Sequence, residues 1–360
     1  PSTLQLLHEL EWLDDFLKLP HDELATLDAN IGGEVIHMAD FSTLKTYCKF
    51  IVFMPQWDFL DFLAGKGKAY PTFHLSMETE GVDLLRENGR VTGVRAKRKD
   101  GSTYDIAADL VVGTDGRHST VRARAGLEVE NQGAPMDVVW MRIPKEAGDP
   151  PQRLGNLNNG RILIMIDRTT YWQCAYLIAK GSFEELQAAG IQAFREDVAA
   201  AVPMLRGRVE SIEDWSHVSL LEVRVDRLKK WHAPGVLCIG DAAHAMSPIG
   251  GIGINLAIQD AVAAANLLCG PLKSAQGVSD GDLAAVQARR MFPTVVTQAF
   301  QVFVQNHGVE PVLRGENVAR PPLVFRLFDG VKGLRRLPAR LIGVGVRPEH
   351  IRTPDVYATS

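Results

Sequence analysis

The sequence predicts an α/β protein in which a sheet-rich block interrupts an α/β domain and helices complete the C-terminal part. Three observations predict this fold class. Short β-branched runs precede residue 116, and a strand-rich block covers about residues 131–227. A strand pattern typical of an α/β domain then returns at residues 235–244, ahead of a long Ala-rich helix. We therefore divide the chain into residues 1–130, 131–230 and 231–360, with the first and last segments forming one domain.

The first segment is predicted to begin with a helix and to continue mainly as strands. Residues 1–17 carry apolar side chains at helical spacing. A second helix is predicted over residues 56–66, where Trp57, Leu60 and Leu63 share one face. Strands separated by turns are predicted at residues 73–77, 91–98, 102–106 and 109–116.

The second segment is predicted to form a sheet of its own, inserted into the α/β domain. Its strands are the runs MDVVWMRIP, RILIMID, YWQCAYLIA and HVSLLEVRV, and a helix is predicted over FEELQAAGIQAFREDVAAAVP. The third segment returns to a buried strand at residues 235–239 and a helix that starts near Gly253. Further helices are predicted at residues 281–306 and 320–343.

Composition excludes several classes of protein. Hydrophobic residues make up 46% of the chain and charged residues 23%, close to the averages of globular proteins, so neither disorder nor a collagen-like structure is expected. The net charge is -4 and there is no long basic run, so we expect no nucleic-acid partner. No uninterrupted apolar run reaches about 18 residues, so we expect no spanning membrane segment.

The cysteines point to a reduced environment. The chain has four, Cys48, Cys174, Cys238 and Cys269, which lie far apart and lack the spacing of metal ligands. We therefore expect free thiols, no metal site and a cytoplasmic protein.

The most specific motif runs from Gly240 to Ala261, GDAAHAMSPIGGIGINLAIQDA. An apolar strand delivers Asp241 at its C-terminal end, where ligands of open α/β sheets bind, and a carboxylate there suits a ribose or polyol hydroxyl. The glycines that follow would open the next helix and present main-chain N–H groups to an anion. Each part alone could be structural, since a strand-ending Asp often caps a turn and glycines often form one.

This motif resembles the second flavin-binding signature of the FAD-dependent aromatic hydroxylases, the single-component monooxygenases with the para-hydroxybenzoate hydroxylase fold. The run DLVVGTDGRHSTVR at residues 109–122 is similar to the Asp-Gly motif of the same family. The resemblance extends from the first residue to about residue 265. It implies a Rossmann-like FAD-binding domain with an inserted substrate domain and C-terminal helices.

The resemblance also implies roles for single residues. Asp241, which follows Gly240, would hold the ribityl hydroxyls of FAD, and Pro248 would line the flavin ring. Asp115 and Gly116 would lie near the pyrophosphate or ribose, and Arg122, with Arg117 or His118, would meet nucleotide phosphates. Gln56 is either a polar contact to the cofactor or an ordinary first residue of a helix. Main-chain N–H groups at the O2 edge of the flavin would come from Gly250, Gly251, Gly253, Ile254 and Asn255.

One departure concerns the phosphate-binding loop. Members of the family open with a strand, G-x-G-x-x-G and a helix, and this sequence has no G-x-G-x-x-G. The resemblance therefore implies that the first βαβ unit, about 45–50 residues, is missing from this chain. Without its N–H groups we expect weak binding of FAD.

The implied function is hydroxylation of an aromatic or heteroaromatic small molecule with non-covalent FAD, NAD(P)H as co-substrate and dioxygen. Two alternatives stay open: a reductase or dehydrogenase of the same fold acting on a quinone- or isoprenoid-like substrate, and a non-catalytic truncated remnant. A homodimer is a further possibility for the assembly. No residue is assigned as catalytic, because strand alternation turns about half of the substrate candidates away from the pocket. These candidates are Arg161, Tyr171, Trp172, Gln173 and Tyr176.

Overall fold

The computed structural model of the protein describes residues 1–31, 34–149, 155–158, 160–315 and 332–355. Its helices are Ser2–Glu9 (α1), Leu13–Phe16 (α2), Gln56–Gly67 (α3), Thr120–Arg124 (α4), Phe183–Ala189 (α5), Ile191–Ala201 (α6), Gly253–Lys273 (α7), Asp280–Val304 (α8), Glu310–Leu313 (α9) and Arg336–Gly343 (α10). Its first strands are Asp22–Leu24 (β1), Thr26–Ile31 (β2), Glu34–Asp40 (β3), Ile51–Phe53 (β4), Thr79–Glu87 (β5), Arg90–Arg98 (β6), Thr103–Ala107 (β7) and Val111–Gly113 (β8). The later strands are Val129–Asn131 (β9), Met136–Pro144 (β10), Gly155–Asn158 (β11), Arg161–Asp167 (β12), Tyr171–Ala179 (β13), Ser219–Leu221 (β14), Asp226–Leu228 (β15), His232–Ala233 (β16) and Val236–Cys238 (β17).

A seven-stranded sheet forms the larger layer, in the order β14-β10-β13-β12-β11-β2-β3. Its pairs are antiparallel except for β11 and β2, which run parallel. Five of its strands come from the predicted sheet block. The other two, β2 and β3, come from residues 26–40, for which the sequence analysis predicted no strand. The division at residues 130 and 230 itself stays a prediction.

The two faces of this sheet pack differently because side chains alternate along each strand. One face, with Met141, Trp172 and Cys174, is covered by α5 and α6 and forms the largest core cluster. The opposite face carries Val138, Ala175 and Leu177 and packs against residues that follow α8. We call it the inner face, because Ile249 of the glycine-rich turn also packs against it.

A smaller sheet, in the order β16-β17-β8, brings the two sequence motifs together. Strands β8 and β17 are parallel, with Gly113 opposite Cys238, so their C-terminal ends meet at one edge. The Asp-Gly motif follows β8 and the Gly-Asp motif follows β17. An antiparallel meander of β5, β6 and β7 packs beside this sheet.

Several predicted elements are confirmed and three are corrected. The helix predicted over residues 1–17 is interrupted at Glu11, whose φ is 60°, and forms as α1 and α2. The predicted helices starting at residue 56 and near Gly253 form as α3 and α7, and α8 covers most of residues 281–306. The strand predicted at residues 73–77 is wrong, because these residues form no strand and β5 begins at Thr79. The helix predicted after residue 183 splits in two at Gly190, whose φ of 92° ends α5. Residues 320–331 of the helix predicted at 320–343 lie outside the described residues, whereas α10 confirms its end.

One segment of the described chain, Ile249–Lys273, is long and apolar enough to cross a membrane by length and composition alone. Core helices of globular proteins meet the same criterion. Here α7 packs against α8, and its Asp260 is fully buried in ion pairs. The segment therefore does not show a membrane span.

Asp149, in the segment after β10, links strand β13 of the inserted sheet to the segment after α6 through hydrogen bonds. Both carboxylate oxygens accept hydrogen bonds from Arg208, at 2.7 and 2.9 Å, and Trp172 Nε1 donates to the same group at 2.7 Å. The Arg208 guanidinium holds the pKa of Asp149 well below its usual range. This stabilisation is present above the pKa of the unfolded carboxyl, about 3.9, and is lost as the pH falls through the folded value.

We expect Asp149→Asn to lower the free energy of unfolding at neutral pH by about 1.5–3 kcal/mol, and the deficit to shrink as the pH is lowered below about 4. Urea unfolding across this pH range measures both effects. The control is Asp105→Asn, which breaks an exposed pair with Arg95 and should therefore lower the free energy of unfolding much less. Equal losses in the two variants would contradict the role of Asp149.

Candidate functional site

The two sequence motifs are cross-linked where they meet. Arg122 is 9% exposed, and its Nη2 donates to the carbonyl of Arg117 at 2.6 Å. Its Nη1 donates to the carbonyl of Ala242 at 3.3 Å. Arg117 in turn places Nη2 3.4 Å from the carboxylate of Asp241. The Asp-Gly loop and the Gly-Asp turn thus form one structural unit.

In the Asp-Gly loop, Asp115 organises the start of α4. Its carboxylate accepts a hydrogen bond from Ser119 Oγ at 2.5 Å and another from the Val121 amide at 3.0 Å. Gly116 has a φ of 80°, which a residue with a side chain rarely adopts, and an added Cβ would meet no atom within 4 Å. These contacts support a capping role for Asp115, and its contact to a nucleotide stays a prediction.

The Gly-Asp turn leaves its carboxylate accessible. Gly240 has a φ of 58°, and an added Cβ would lie 3.0 Å from the Cβ of Ala257, so the turn packs closely on α7. Asp241 follows in the same turn with a third of its side chain exposed. Its partner Arg117 is also partly exposed.

The glycine-rich turn faces open space. Gly250 and Gly251 have φ values of 79° and 62°, and an added Cβ at Gly251 would meet no atom within 4 Å. The turn leads from Pro248 into α7, whose N-terminus has no side-chain cap. In the first turn of α7 Ile254 is 41% exposed, and Asn255 Oδ1 accepts a hydrogen bond from Thr3 at 2.6 Å.

Gln56 lies at the N-terminus of a helix that contacts α7. It is the exposed first residue of α3, and the hydrogen bonds among the described residues do not join it to either motif. Helix α3 contacts α7 through the cluster that contains Phe59 and Ile258. The structure therefore brings the helices together, and the cofactor contact of Gln56 stays a prediction.

A buried charge network lies behind the Gly-Asp turn. The carboxylate of Asp260 accepts hydrogen bonds from the Gly240 amide at 3.1 Å, from His244 Nε2 at 2.5 Å and from Arg290 Nε at 2.8 Å. Burial alone would raise the pKa of Asp260, but the facing His244 and Arg290 lower it, so the carboxylate stays ionised. Glu349 of the C-terminal segment completes the network, 3.3 Å from Arg290 Nη1. His244 is thus a structural member of its motif.

Buried glutamines of α8 hold the segment that leads to the glycine-rich turn. Gln301 Nε2 donates to the carbonyls of Ser247 and Ile249, at 2.8 and 2.9 Å. Gln298 Nε2 donates to the carbonyls of Asp226 and Ala245, at 2.7 and 3.1 Å. The sequence analysis missed these residues. Their signal is a polar stripe at helical spacing along α8 and the residue after it, namely Arg290, Thr294, Thr297, Gln298, Gln301 and Gln305, all of them buried.

The sheet sorts the substrate candidates by strand alternation. Trp172 and Tyr176 point to the helix-covered face, and burial raises the pKa of the Tyr176 hydroxyl to about 12. Arg161 on the same side donates through Nε to Asp197 of α6 at 2.9 Å. Tyr171 and Gln173 alternate with these residues and lie on the inner face. Two of the five candidates therefore share the face against which the glycine-rich turn packs.

These observations fit an FAD site. Asp241 offers a charged acceptor for hydroxyl groups, and the turn through Gly251 offers main-chain donors beside space that a side chain would fill. The residues that would hold the cofactor are Asp241, Pro248 and the segment from Gly250 to Asn255. Cross-links through Arg122, Asp260 and Gln301 hold them in place before any ligand binds.

Comparison with known proteins gives consistent results. The chain is 33% identical over 261 residues to 6-methylpretetramide 4-monooxygenase of Streptomyces rimosus, covering 72% of this chain and 62% of that protein. It is 30% identical over 217 residues to digeranylgeranylglycerophospholipid reductase of Methanothrix thermoacetophila, covering 57% of this chain and 50% of that one. The chain thus spans about half to three fifths of the length of these curated relatives.

Among solved structures, the fold is similar to that of p-nitrophenol 4-monooxygenase from Pseudomonas putida, with a TM-score of 0.73 at 18% identity, covering 94% of this chain and 85% of that one. At this identity the likeness concerns the fold. The family model described as FAD binding domain matches residues 1–299, most of the chain. The resemblance carried by the two motifs is thereby confirmed, and the chain belongs to the FAD binding domain family.

Proposed function

We propose that the protein is an FAD-dependent monooxygenase that uses NAD(P)H and dioxygen to hydroxylate an aromatic or heteroaromatic small molecule. The observation that carries the proposal is the position of the glycine-rich turn. Ile249, directly after Pro248, packs against the inner face of the inserted sheet, so a flavin held by this turn would lie beside that face. The bound flavin supplies acceptance of hydride from NAD(P)H and activation of dioxygen.

The residues of the chain would bind the flavin, orient the substrate and shield both from water. Asp241 and the amides of the glycine-rich turn would fix the cofactor. The inner face provides partly exposed apolar side chains, Trp140, Ile164 and Ile166, that would exclude water from an aromatic substrate. We assign no described residue as an acid or base. The contribution that we propose for the protein is a dry pocket that orients the substrate.

The test is substrate-stimulated oxidation of NAD(P)H in the presence of FAD. We expect slow oxidation alone, acceleration by a phenol or heteroaromatic substrate, and incorporation of one oxygen atom from labelled dioxygen into the product. Oxidation that no aromatic compound accelerates, with no label incorporated, would overturn the proposal. Absence of FAD binding, even when a G-x-G-x-x-G unit is joined to the chain, would favour the non-catalytic alternative.

The second candidate is a reductase of the same fold, and one observation favours it: the 30% identity to the Methanothrix reductase. Its substrate would be quinone- or isoprenoid-like. The same assay separates the two functions, since a reductase would consume NAD(P)H with such a substrate under anaerobic conditions. A monooxygenase would need dioxygen for product formation.

The finer statement of the fold stays a proposal: a G-x-G-x-x-G βαβ unit would complete the FAD-binding domain. Strand β8 supports it, because it is an edge strand of its three-stranded sheet in the described part of the chain, where a further parallel strand could pair. We expect the chain as given to retain less than one FAD per chain after gel filtration, and the chain joined to such a unit to retain one. Full retention by the chain as given would contradict this proposal.

We also propose a cytoplasmic location, which the free thiols of all four cysteines support. Three of them are buried, and burial raises the pKa of Cys174 and of Cys238 to about 12, so these thiols are protonated and unreactive. The homodimer stays a prediction, which light scattering on the purified protein would check.

The glycine-rich turn allows a matched pair of variants. We expect Gly251→Ala to weaken FAD binding about tenfold or more, because the methyl group enters the open space at the turn and strains a residue with positive φ. The control is Gly277→Ala, since Gly277 has a similar φ of 66° and equally open surroundings on a loop far along the chain. Both variants should lose similar stability, of about 1–2 kcal/mol, and fluorescence titration with FAD should separate them. Equal FAD affinity in the two variants would argue against a flavin at the turn.

A further inference from the structure

Helix α8 changes its winding at its C-terminal end. It continues after Val304 as a π-helical turn over Gln305–Val309, in which the Glu310 amide donates to the carbonyl of Gln305. A π turn holds one residue more than an α turn, so it rotates the residues after it relative to those before it, and such turns often lie at functional sites. Here the turn lies between the segment that leads to the glycine-rich turn and the inner face of the sheet.

The first residue of this turn, Gln305, bonds to the residue before Pro248. Gln305 is fully buried, and its Nε2 donates to Ser247 Oγ at 3.0 Å. The same hydroxyl oxygen accepts a hydrogen bond from the Ile249 amide at 3.3 Å. One helical turn earlier, Gln301 bonds to the amide and the carbonyl of Ser247 and to the carbonyl of Ile249. Two side chains from one helix thus fix the main chain on both sides of Pro248.

The residues at the other end of the π turn contact the inner face. Val309 and Val312 belong to the buried cluster that contains the inner face of the sheet, and Ile249 packs against the same cluster. The π turn therefore lets one helical segment hold Ser247 through Gln305 and contact the sheet through Val309. This segment fixes the glycine-rich turn relative to the sheet.

Packing alone does not require a polar side chain at position 305. Gln305 Oε1 is buried and has no hydrogen-bond partner among the described residues. An unpaired buried acceptor costs free energy, and an apolar side chain of similar length would avoid that cost. What the amide adds is the hydrogen bond to Ser247. Glutamine at this position therefore indicates a role in shaping the segment around Pro248.

We propose that Gln305 is a positioning residue for the flavin ring. Through Ser247 it fixes Pro248, the residue expected to line the ring, and so sets how the ring lies relative to the inner face of the sheet. Gln305 is fully buried behind Ser247 and acts through it. The proposal rests on the proposed function for the identity of the ligand as FAD.

The test is Gln305→Met, which keeps the length of the side chain but removes its hydrogen bond. We expect FAD to bind about tenfold more weakly in a fluorescence titration. At saturating FAD, the visible absorption spectrum of the bound flavin should move toward that of free flavin, because the ring is no longer held in one orientation. Without FAD, amide hydrogen exchange should become faster over residues 247–253.

The matched control is Gln287→Met. Gln287 lies about five turns earlier on the same helix, and its side-chain amide also bonds to the main chain, to the carbonyl of Lys229 at 2.9 Å and the amide of Trp231 at 3.0 Å. It should lose similar stability and leave the FAD affinity, the flavin spectrum and the exchange of residues 247–253 unchanged.

Two further variants separate positioning from a general loss of stability. Gln305→Glu should restore part of the affinity and of the spectrum, because a glutamate can bond to the Ser247 hydroxyl whether it is ionised or protonated. Ser247→Ala removes the same bond from the other side. The double variant, Gln305→Met with Ser247→Ala, should therefore bind FAD about as weakly as the weaker single variant, whereas independent effects would multiply.

The proposal is overturned if Gln305→Met keeps the FAD affinity and the flavin spectrum, if Gln287→Met changes them as much, or if the effects in the double variant multiply. In these outcomes the unchanged protein still binds FAD, so the proposed function stands. If Gln305→Met does not fold, Ser247→Ala decides by the same readouts. If the unchanged chain binds no FAD even when joined to a G-x-G-x-x-G unit, the proposed function and this proposal fail together.

Discussion

Replacing Asp260 by alanine is expected to lower the free energy of unfolding by about 3–5 kcal/mol and to weaken FAD binding by about tenfold or more. The carboxylate is fully buried and is shared by the Gly240 amide, His244 and Arg290. Its removal takes away the partner of Arg290 Nε and leaves this buried guanidinium with Glu349 as its remaining anionic partner among the described residues, which is the source of the large stability loss. Thermal or urea unfolding measures this first effect.

The second effect follows from the bond to Gly240. That amide begins the turn that carries Asp241. Without the carboxylate of Asp260 as acceptor, the turn would no longer hold the Asp241 carboxylate in the position proposed to bind FAD. The matched control is Asp137→Ala in the inserted sheet. Asp137 is also buried and also accepts from a cation and two main-chain amides, those of Lys180, Gly181 and Val223.

Both variants should be compared by FAD titration at a temperature where each is folded. We expect Asp137→Ala to lose comparable stability and to bind FAD like the unchanged protein. If the folded fraction of Asp260→Ala also binds FAD normally, Asp260 supports the core alone and the turn keeps its shape without it.

The parts of the site that the sequence could predict are those encoded in contiguous residues. The Gly-Asp motif contains a strand, its terminal carboxylate and the glycines of the next turn in one run, so local periodicity and chirality place them without knowledge of the fold. The parallel pairing of β8 with β17 was not predicted, and the structure shows it by placing Gly113 beside Cys238. Helices α3, α7 and α8 also follow from apolar spacing alone.

The buried residues that hold the glycine-rich turn and the Gly-Asp turn in place could not be predicted, because they act through contacts between distant segments. Arg290 and Gln301 lie on α8, and Glu349 lies near the C-terminal end, far in sequence from the turn they stabilise. A sequence pattern treats such polar side chains as a solvated helix face. Burial reverses this interpretation, because a buried polar group needs a partner and these partners are backbone carbonyls and Asp260.

The orientation of the substrate candidates shows a second kind of limit. Alternation shows that neighbouring residues of YWQCAY face opposite sides, but it cannot decide which side holds the helices. Packing of Trp172 against the α6 layer decides it and places Tyr171 and Gln173 on the inner face.

Asp241→Ala and Arg122→Ala are expected to fail in different ways, although the two residues belong to adjoining motifs. Asp241→Ala should release FAD about ten- to a hundredfold more easily, because it loses charge-assisted hydrogen bonds of about 1.5–3 kcal/mol each. Its stability should change little, since its ion pair with Arg117 is long, at 3.4 Å, and partly exposed. Arg122→Ala should lose stability instead, because its buried guanidinium bonds the carbonyls of Arg117 and Ala242.

A separate outcome decides whether Arg122 also serves the nicotinamide nucleotide. If it does, the Arg122→Ala holoenzyme should keep much of its flavin, be reduced slowly and show a raised KM for NAD(P)H, as when binding of one substrate is impaired. Flavin content after gel filtration, stopped-flow reduction and urea unfolding on the same preparations separate these effects. Arg122→Lys is the matched control, because it keeps the charge but cannot bond both carbonyls with one planar fork. If Arg122→Ala loses flavin as readily as Asp241→Ala and its remaining holoenzyme is reduced at the normal rate, Arg122 acts only as the cross-link between the two loops.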